Sequence, residues 1–166
     1  MKSTKKIIAS ALAIVALVMA SCPQESKSEE PAPKTDPALN GTWLEDDGSG
    51  STVKFNNGTF ENSYIGIGAP VMKGTFTTSN GTLTMTMTHV WGKVLNDSLE
   101  AKWYSKADLK APAVLAVLST NEHTVTAEDI DGLFASQSAT GTYVISGNTL
   151  TITWDNGSDP FTLTKQ

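Results

Sequence analysis

Gly74-Thr-Phe-Thr-Thr-Ser-Asn-Gly-Thr-Leu-Thr-Met-Thr-Met87 decides the fold of this chain, because it aligns without a gap on Gly141-Thr-Tyr-Val-Ile-Ser-Gly-Asn-Thr-Leu-Thr-Ile-Thr-Trp154, with about half the positions identical. In the first copy Leu83, Met85, Met87 and His89 alternate with Thr84, Thr86 and Thr88; in the second Leu150, Ile152 and Trp154 alternate with Thr149, Thr151 and Thr153. A period of two puts apolar side chains on one face of a strand and threonines on the other, and a β-branched residue favours that extended backbone. Each copy therefore reads as an antiparallel hairpin with one wet face.

The same chemistry extends in both directions. Asp47-Gly48, Asn57-Gly58, Asn80-Gly81, Gly147-Asn148 and Asn156-Gly157 supply the positive φ angles of tight turns. They separate expected strands at 41–46, 51–57, 58–65, 70–79, 82–91, 140–146, 149–155 and 160–165. The triplet Gly-Thr-aromatic recurs at Gly41-Thr42-Trp43, Gly58-Thr59-Phe60, Gly74-Thr75-Phe76 and Gly141-Thr142-Tyr143, at uneven spacings that fit one barrel reusing a hairpin better than a solenoid. The fold class expected is all-β: an antiparallel up-and-down barrel of about eight strands over residues 39–166, a number at which a barrel holds side chains or one small ligand.

Asn40-Gly41-Thr42-Trp43, opening that meander, resembles the Gly-x-Trp signature of lipocalins and of lipocalin-like (calycin-type) domains in bacterial lipoproteins. The resemblance implies that Gly41 and Trp43 mark one closed end of the barrel and that the interior binds a small hydrophobic ligand. It also implies a basic residue from the last strand stacked on the Trp. Only Lys165 fills that role, since the chain has no Arg.

Between Val94 and Ala139 the alternation stops. Ser105-Lys-Ala-Asp108 and Thr126-Ala-Glu-Asp129 read as capping boxes, each opening a short helix. Pro112 interrupts any helix running from 105 to 118, leaving the apolar stretch Ala113 to Leu118 to pack against the barrel. The 94–139 segment is thus a short helical insert, placed to cover a barrel mouth.

The N-terminus reads as an address. Lys2, Lys5 and Lys6 precede a predominantly apolar run of about fourteen residues from Ile7 to Ala20, too short to span a bilayer and right for a signal peptide at 1–21. Val18-Met19-Ala20-Ser21-Cys22 resembles a lipobox, with Met19 where Leu is usual. That makes Cys22, the only cysteine, the acylated first residue of the mature chain and its membrane partner. Acyl chains contribute about 0.8 kcal/mol per buried methylene, so two or three of them, palmitate among them, hold a protein at a membrane. The expected localisation is the bacterial cell envelope. Residues 22–38, rich in proline and charge, form a tether that reaches on the order of 45 Å when extended.

Composition narrows the function. The 166 residues carry 12 basic and 17 acidic side chains, a net charge of −5, which offers no surface for nucleic acid. A single cysteine excludes an internal disulfide and a cysteine-only metal site. His89, on the apolar face of a strand, and His123, in a polar run, lack metal-ligand spacing. The acidic groups Glu128-Asp129-Ile130-Asp131-Gly132 and Asp155-Asn156-Gly157-Ser158-Asp159 lack the twelve-residue loop of a calcium hand, and helix N-terminal charge and turn chemistry account for them. No Gly-x-Ser-x-Gly elbow or phosphate loop occurs. The expectation is a binding protein with no cofactor, no metal and no catalytic residue. Its candidate ligand-binding residues are Phe76, Met85, Met87, Trp91, Tyr143 and Trp154, adaptable sulfur and aromatic side chains expected on one face or one end of the barrel. The alternative is a filled barrel that acts as an envelope-structural or protein-interaction module.

Overall fold

The strands that the threonine alternation predicts are present in the computed structural model, which describes residues 34–166. The expected signal segment 1–21, the lipidation site Cys22 and tether residues 23–33 lie outside the described residues. The strands are β1 (Gly41–Glu45), β2 (Ser51–Asn56), β3 (Thr59–Tyr64), β4 (Ala69–Ser79), β5 (Thr82–Trp91), β6 (Trp103–Ser105), β7 (Ala139–Ser146), β8 (Thr149–Trp154) and β9 (Phe161–Lys165). The helices are α1 (Gly92–Leu95), α2 (Lys106–Leu109), α3 (Pro112–Leu118) and α4 (Ala127–Ser136).

Every strand pair is antiparallel, and the ring β1-β2-β3-β4-β5-β7-β8-β9 closes because β1 pairs with both β2 and β9. Closure removes the exposed edges that an open sheet of this size would carry. The ninth strand, β6, is a branch. β5 pairs with β7 over Thr82–Met85 and with β6 over His89–Trp91, so the insert leaves the wall where the two halves of β5 change neighbours.

The two related stretches form the same hairpin in the same register, with Gly74 opposite Met87 and Gly141 opposite Trp154. Glycine is needed at both. An added Cβ at Gly141 would lie 2.5 Å from the Thr153 carbonyl oxygen, and one at Gly74 would run into the carbonyl of Thr86. The following aromatic residue repeats as well: Phe76 N–H donates to the Gly58 carbonyl and Tyr143 N–H to that of Gly81 (2.8 and 2.9 Å). Turn residues Asn57 and Asn80 sit at φ 44 and 50, left-handed values that Asn tolerates.

One end of the barrel is sealed. Trp43 is fully buried, its indole N–H donates to the Leu39 carbonyl at 2.7 Å, and the Lys165 ammonium stands 5.0 Å from its ring centroid. Residues 34–38, assigned to the tether by composition, lie against this end: Thr78 N–H donates to the Lys34 carbonyl and the Tyr143 hydroxyl to the Asp36 carboxylate, both at 2.8 Å. Among the described residues, hydrogen bonds to the barrel wall thus reach back to Lys34.

Both capping boxes form, Ser105 with Asp108 and Thr126 with Asp129, and α2 ends before Pro112 opens α3. The apolar stretch Ala113–Leu118 packs as expected through one side only. No residue of α3 is buried; Val114, Leu115 and Leu118 pack on one side while Val117 remains 38% exposed. A helix of about two turns offers only one stripe to a neighbour.

Candidate functional site

Two apolar clusters fill the interior. The first, at the sealed end, contains Trp43, Phe55, Phe60, Phe76, Leu83 and Leu150; the second, under the insert, contains Met87, Val90, Tyr104, Leu109, Ile130 and Phe134. Met72 packs against both. Beside it lies a cavity of about 230 Å³ whose walls are Val53 and Phe55 of β2, Phe60 and Asn62 of β3, Met72, Met85, Ile152, Trp154 and Phe161. Its mouth is formed by exposed Ser136 and Gln137, the last residue and the C-cap of α4, and by Asn156 of the β8–β9 turn.

Strand periodicity explains the lining. Val53 and Phe55 are two apart, as are Phe60 and Asn62, and Ile152 and Trp154, so each pair shares its strand's inner face. The polar members differ in what they already hold. Ser136 Oγ donates to the Leu133 carbonyl, and Asn156 Oδ1 accepts from Ser158 N–H. Asn62 is half-buried, and among the described residues no hydrogen bond reaches its side-chain amide. Among the described residues no charged side chain lines the cavity.

Of the six candidate ligand residues, the fold brings Met85 and Trp154 to the cavity. Phe76 is 1% exposed and meets Phe55 edge-on at 5.0 Å, a packed pair of the sealed cluster. Tyr143 borders the same cluster, and burial first, then the Asp36 carboxylate, pushes its hydroxyl pKa above the usual value. Met87 belongs to the second cluster. Trp91 stands at the end of β5, edge-on to its cross-strand partner Trp103 at 5.2 Å, with the Lys73 ammonium 4.8 Å from the Trp103 ring.

His89 does not continue the apolar face of β5. The register shifts between Lys73 and Gly74, which leaves Thr88 as an extra residue on β5 and turns Val90 inward instead. His89 lies on an outer groove beside Lys54, Glu61 and Lys73, its Nδ1 2.9 Å from the Thr88 hydroxyl. Burial, followed by the Lys73 charge, holds its pKa below the usual imidazole value.

In the first acidic group two carboxylates have structural partners. Asp129 closes the α4 capping box, and Asp131 takes both Lys106 (2.8 Å) and Lys110 (2.7 Å), clipping α4 to α2. Among the described residues no three His, Cys, Asp or Glu side chains gather into a metal site, and no helix is long and apolar enough to cross a membrane.

Sequence reasoning left out Val53, Phe55, Phe60, Asn62, Met72, Ile152 and Phe161 from the lining. The signal for Asn62 was its place two residues after Phe60 on a predicted strand. Comparison with known protein families, with curated proteins and with solved structures finds no match for this chain.

Proposed function

We propose that this chain is a membrane-anchored lipoprotein of the bacterial cell envelope, acylated at Cys22, whose lipocalin-like barrel binds a small hydrophobic molecule and performs no catalysis. The observation that carries the binding reading is the apolar cavity of about 230 Å³ walled by residues of the first core cluster. A closed barrel of eight strands is wide enough to hold one small ligand, and the Met85, Met72 and aromatic walls are polarizable surfaces suited to it. The volume limits the guest. A cavity of about 150 Å³ admits benzene, so this one takes a ring with a few substituents.

The test is organic extraction and mass spectrometry of the full-length protein from its native host, with titration of its tryptophan emission by an apolar fluorescent probe. A stoichiometric small apolar species displaced by the probe supports the carrier reading; a clean extract with no saturable probe binding overturns it.

A second reading, an interaction module that works through its outer surface, draws on exposed apolar side chains at Ile65 (67% exposed), Val94, Val117 and Tyr64. A barrel that binds no probe yet self-associates or captures a defined envelope protein through α3 favours that reading.

A further inference from the structure

Within the cavity one polar group stands apart from the rest. Eight of the wall residues, Val53, Phe55, Phe60, Met72, Met85, Ile152, Trp154 and Phe161, offer only apolar or weakly polar surface to a guest, with the Trp154 indole N–H the one conventional donor among them. Ser136 and Asn156 are at the mouth and engaged with neighbouring backbone, and Gln137 is exposed there. Asn62 alone is a half-buried carboxamide on the wall without a hydrogen bond from the described residues. It sits where β3 shifts register against β4, between Asn62 and Ser63, so the irregularity fixes its backbone against Met72.

We propose that Asn62 selects the ligand: the cavity takes a neutral molecule with a ring-sized apolar body and one hydroxyl or carbonyl group, which the Asn62 carboxamide meets as donor or acceptor. This rests on the carrier reading above. An amide left unpaired when a guest displaces water loses its hydrogen bonds, so a guest that replaces them is preferred over one of the same shape that does not. The absence of a charged wall residue among the described residues works in the other direction against ions, because an unpaired charge moved into an apolar site is strongly penalised.

Three probes of nearly one shape separate the terms: 4-methylphenol, p-xylene, in which a methyl replaces the hydroxyl, and the 4-methylbenzoate anion. Each is titrated into the full-length protein and into Asn62→Leu and Asn62→Ser, by calorimetry and tryptophan emission, with thermal melts to show that the variants fold. The expected result is that 4-methylphenol binds saturably, that the anion does not, and that the preference for the phenol over p-xylene falls about tenfold in Asn62→Leu, with Asn62→Ser in between. A preference unchanged in both variants, or saturable binding of the anion in the same cavity, overturns the assignment while leaving the carrier reading in place. Loss of binding by all three probes in the unaltered protein overturns the carrier reading itself and the assignment with it.

Discussion

The Tyr143 hydroxyl donates to the Asp36 carboxylate at 2.8 Å, across 107 residues of sequence, tying the segment before β1 to the β7 wall. With the Lys34 carbonyl held by Thr78 N–H and the Trp43 indole held by Leu39, it lays residues 34–39 against the sealed end. Hydrogen bonds to charged groups contribute about 1.5–3 kcal/mol, toward the lower figure at this half-buried site. Tyr143→Phe should therefore lower the urea unfolding free energy by about 1.5 kcal/mol and speed proteolysis near Lys34, with probe binding at the far end unchanged.

Glycine has opposite meanings at two positions. At Gly74 an added methyl meets the Thr86 carbonyl across the hairpin and the Phe60 ring of neighbouring β3, and the backbone carbonyl cannot yield cheaply. At Gly132, inside α4 and exposed, nothing lies within 4 Å. Gly74→Ala should destabilise by about 3 kcal/mol, at the upper end of overpacking effects, and Gly132→Ala should stabilise by about 0.5–1 kcal/mol through helix propensity. Denaturant melts of the two variants read both signs.

The His89 imidazole titrates below its usual value because burial and Lys73 oppose its charge. Other groups around it are Asp108, which opposes the shift, and Glu61 and Lys54 of the same outer groove. Between the lowered native pKa and the unfolded value of about 6.5 the unfolded chain binds the extra proton, so stability rises with pH in that window. The contribution is complete above about pH 6.5 and is lost as pH falls through the native value. His89→Gln should flatten the dependence of melting temperature on pH just below 6.5. The carboxylates whose pKa values are lowered by hydrogen bonds or lysines, Asp108, Asp129 and Asp131 among them, act in a separate and more acidic window.

Much of this architecture was legible because threonine alternation and Asn-Gly turns are local signals, and eight strands fall within a few residues of where they indicate. The repeated hairpin was legible down to its register, since Gly74 and Gly141 occupy equivalent tight positions. The bulge at Thr88 was not. Whether a strand carries an extra residue depends on its partner, and the eight alternating residues Thr82–His89 look regular by themselves, so the alternation places His89 on the inner face, where the bulge brings Val90 instead. β6 escaped because three residues cannot display a period. The site was half legible: periodicity tells which residues point inward, but not at what depth the side chains stop filling the barrel. Met85 and Met87 share the inner face before the bulge, yet one borders a cavity and the other a packed cluster.

Depth along β5 gives the sharpest test of where the barrel is empty. Leu83 and Met85 are two residues apart on the same inner face; Leu83 is 0% exposed within the sealed cluster, while Met85 borders the cavity. The same enlargement should therefore act differently at each. At Leu83 a Trp side chain has no void to enter and forces its neighbours aside, which costs about 1–3 kcal/mol. At Met85 the indole projects into free volume and replaces lost contacts with new ones, so stability should stay within about 1 kcal/mol of the parent. Probe affinity should then separate from stability: Met85→Trp should weaken binding of an apolar probe at least about tenfold, whereas Leu83→Trp should leave it nearly unchanged in the fraction that remains folded. Equal destabilisation by both variants would mean that the space beside Met85 does not persist in solution, and probe binding retained in Met85→Trp would place the binding site elsewhere on the molecule.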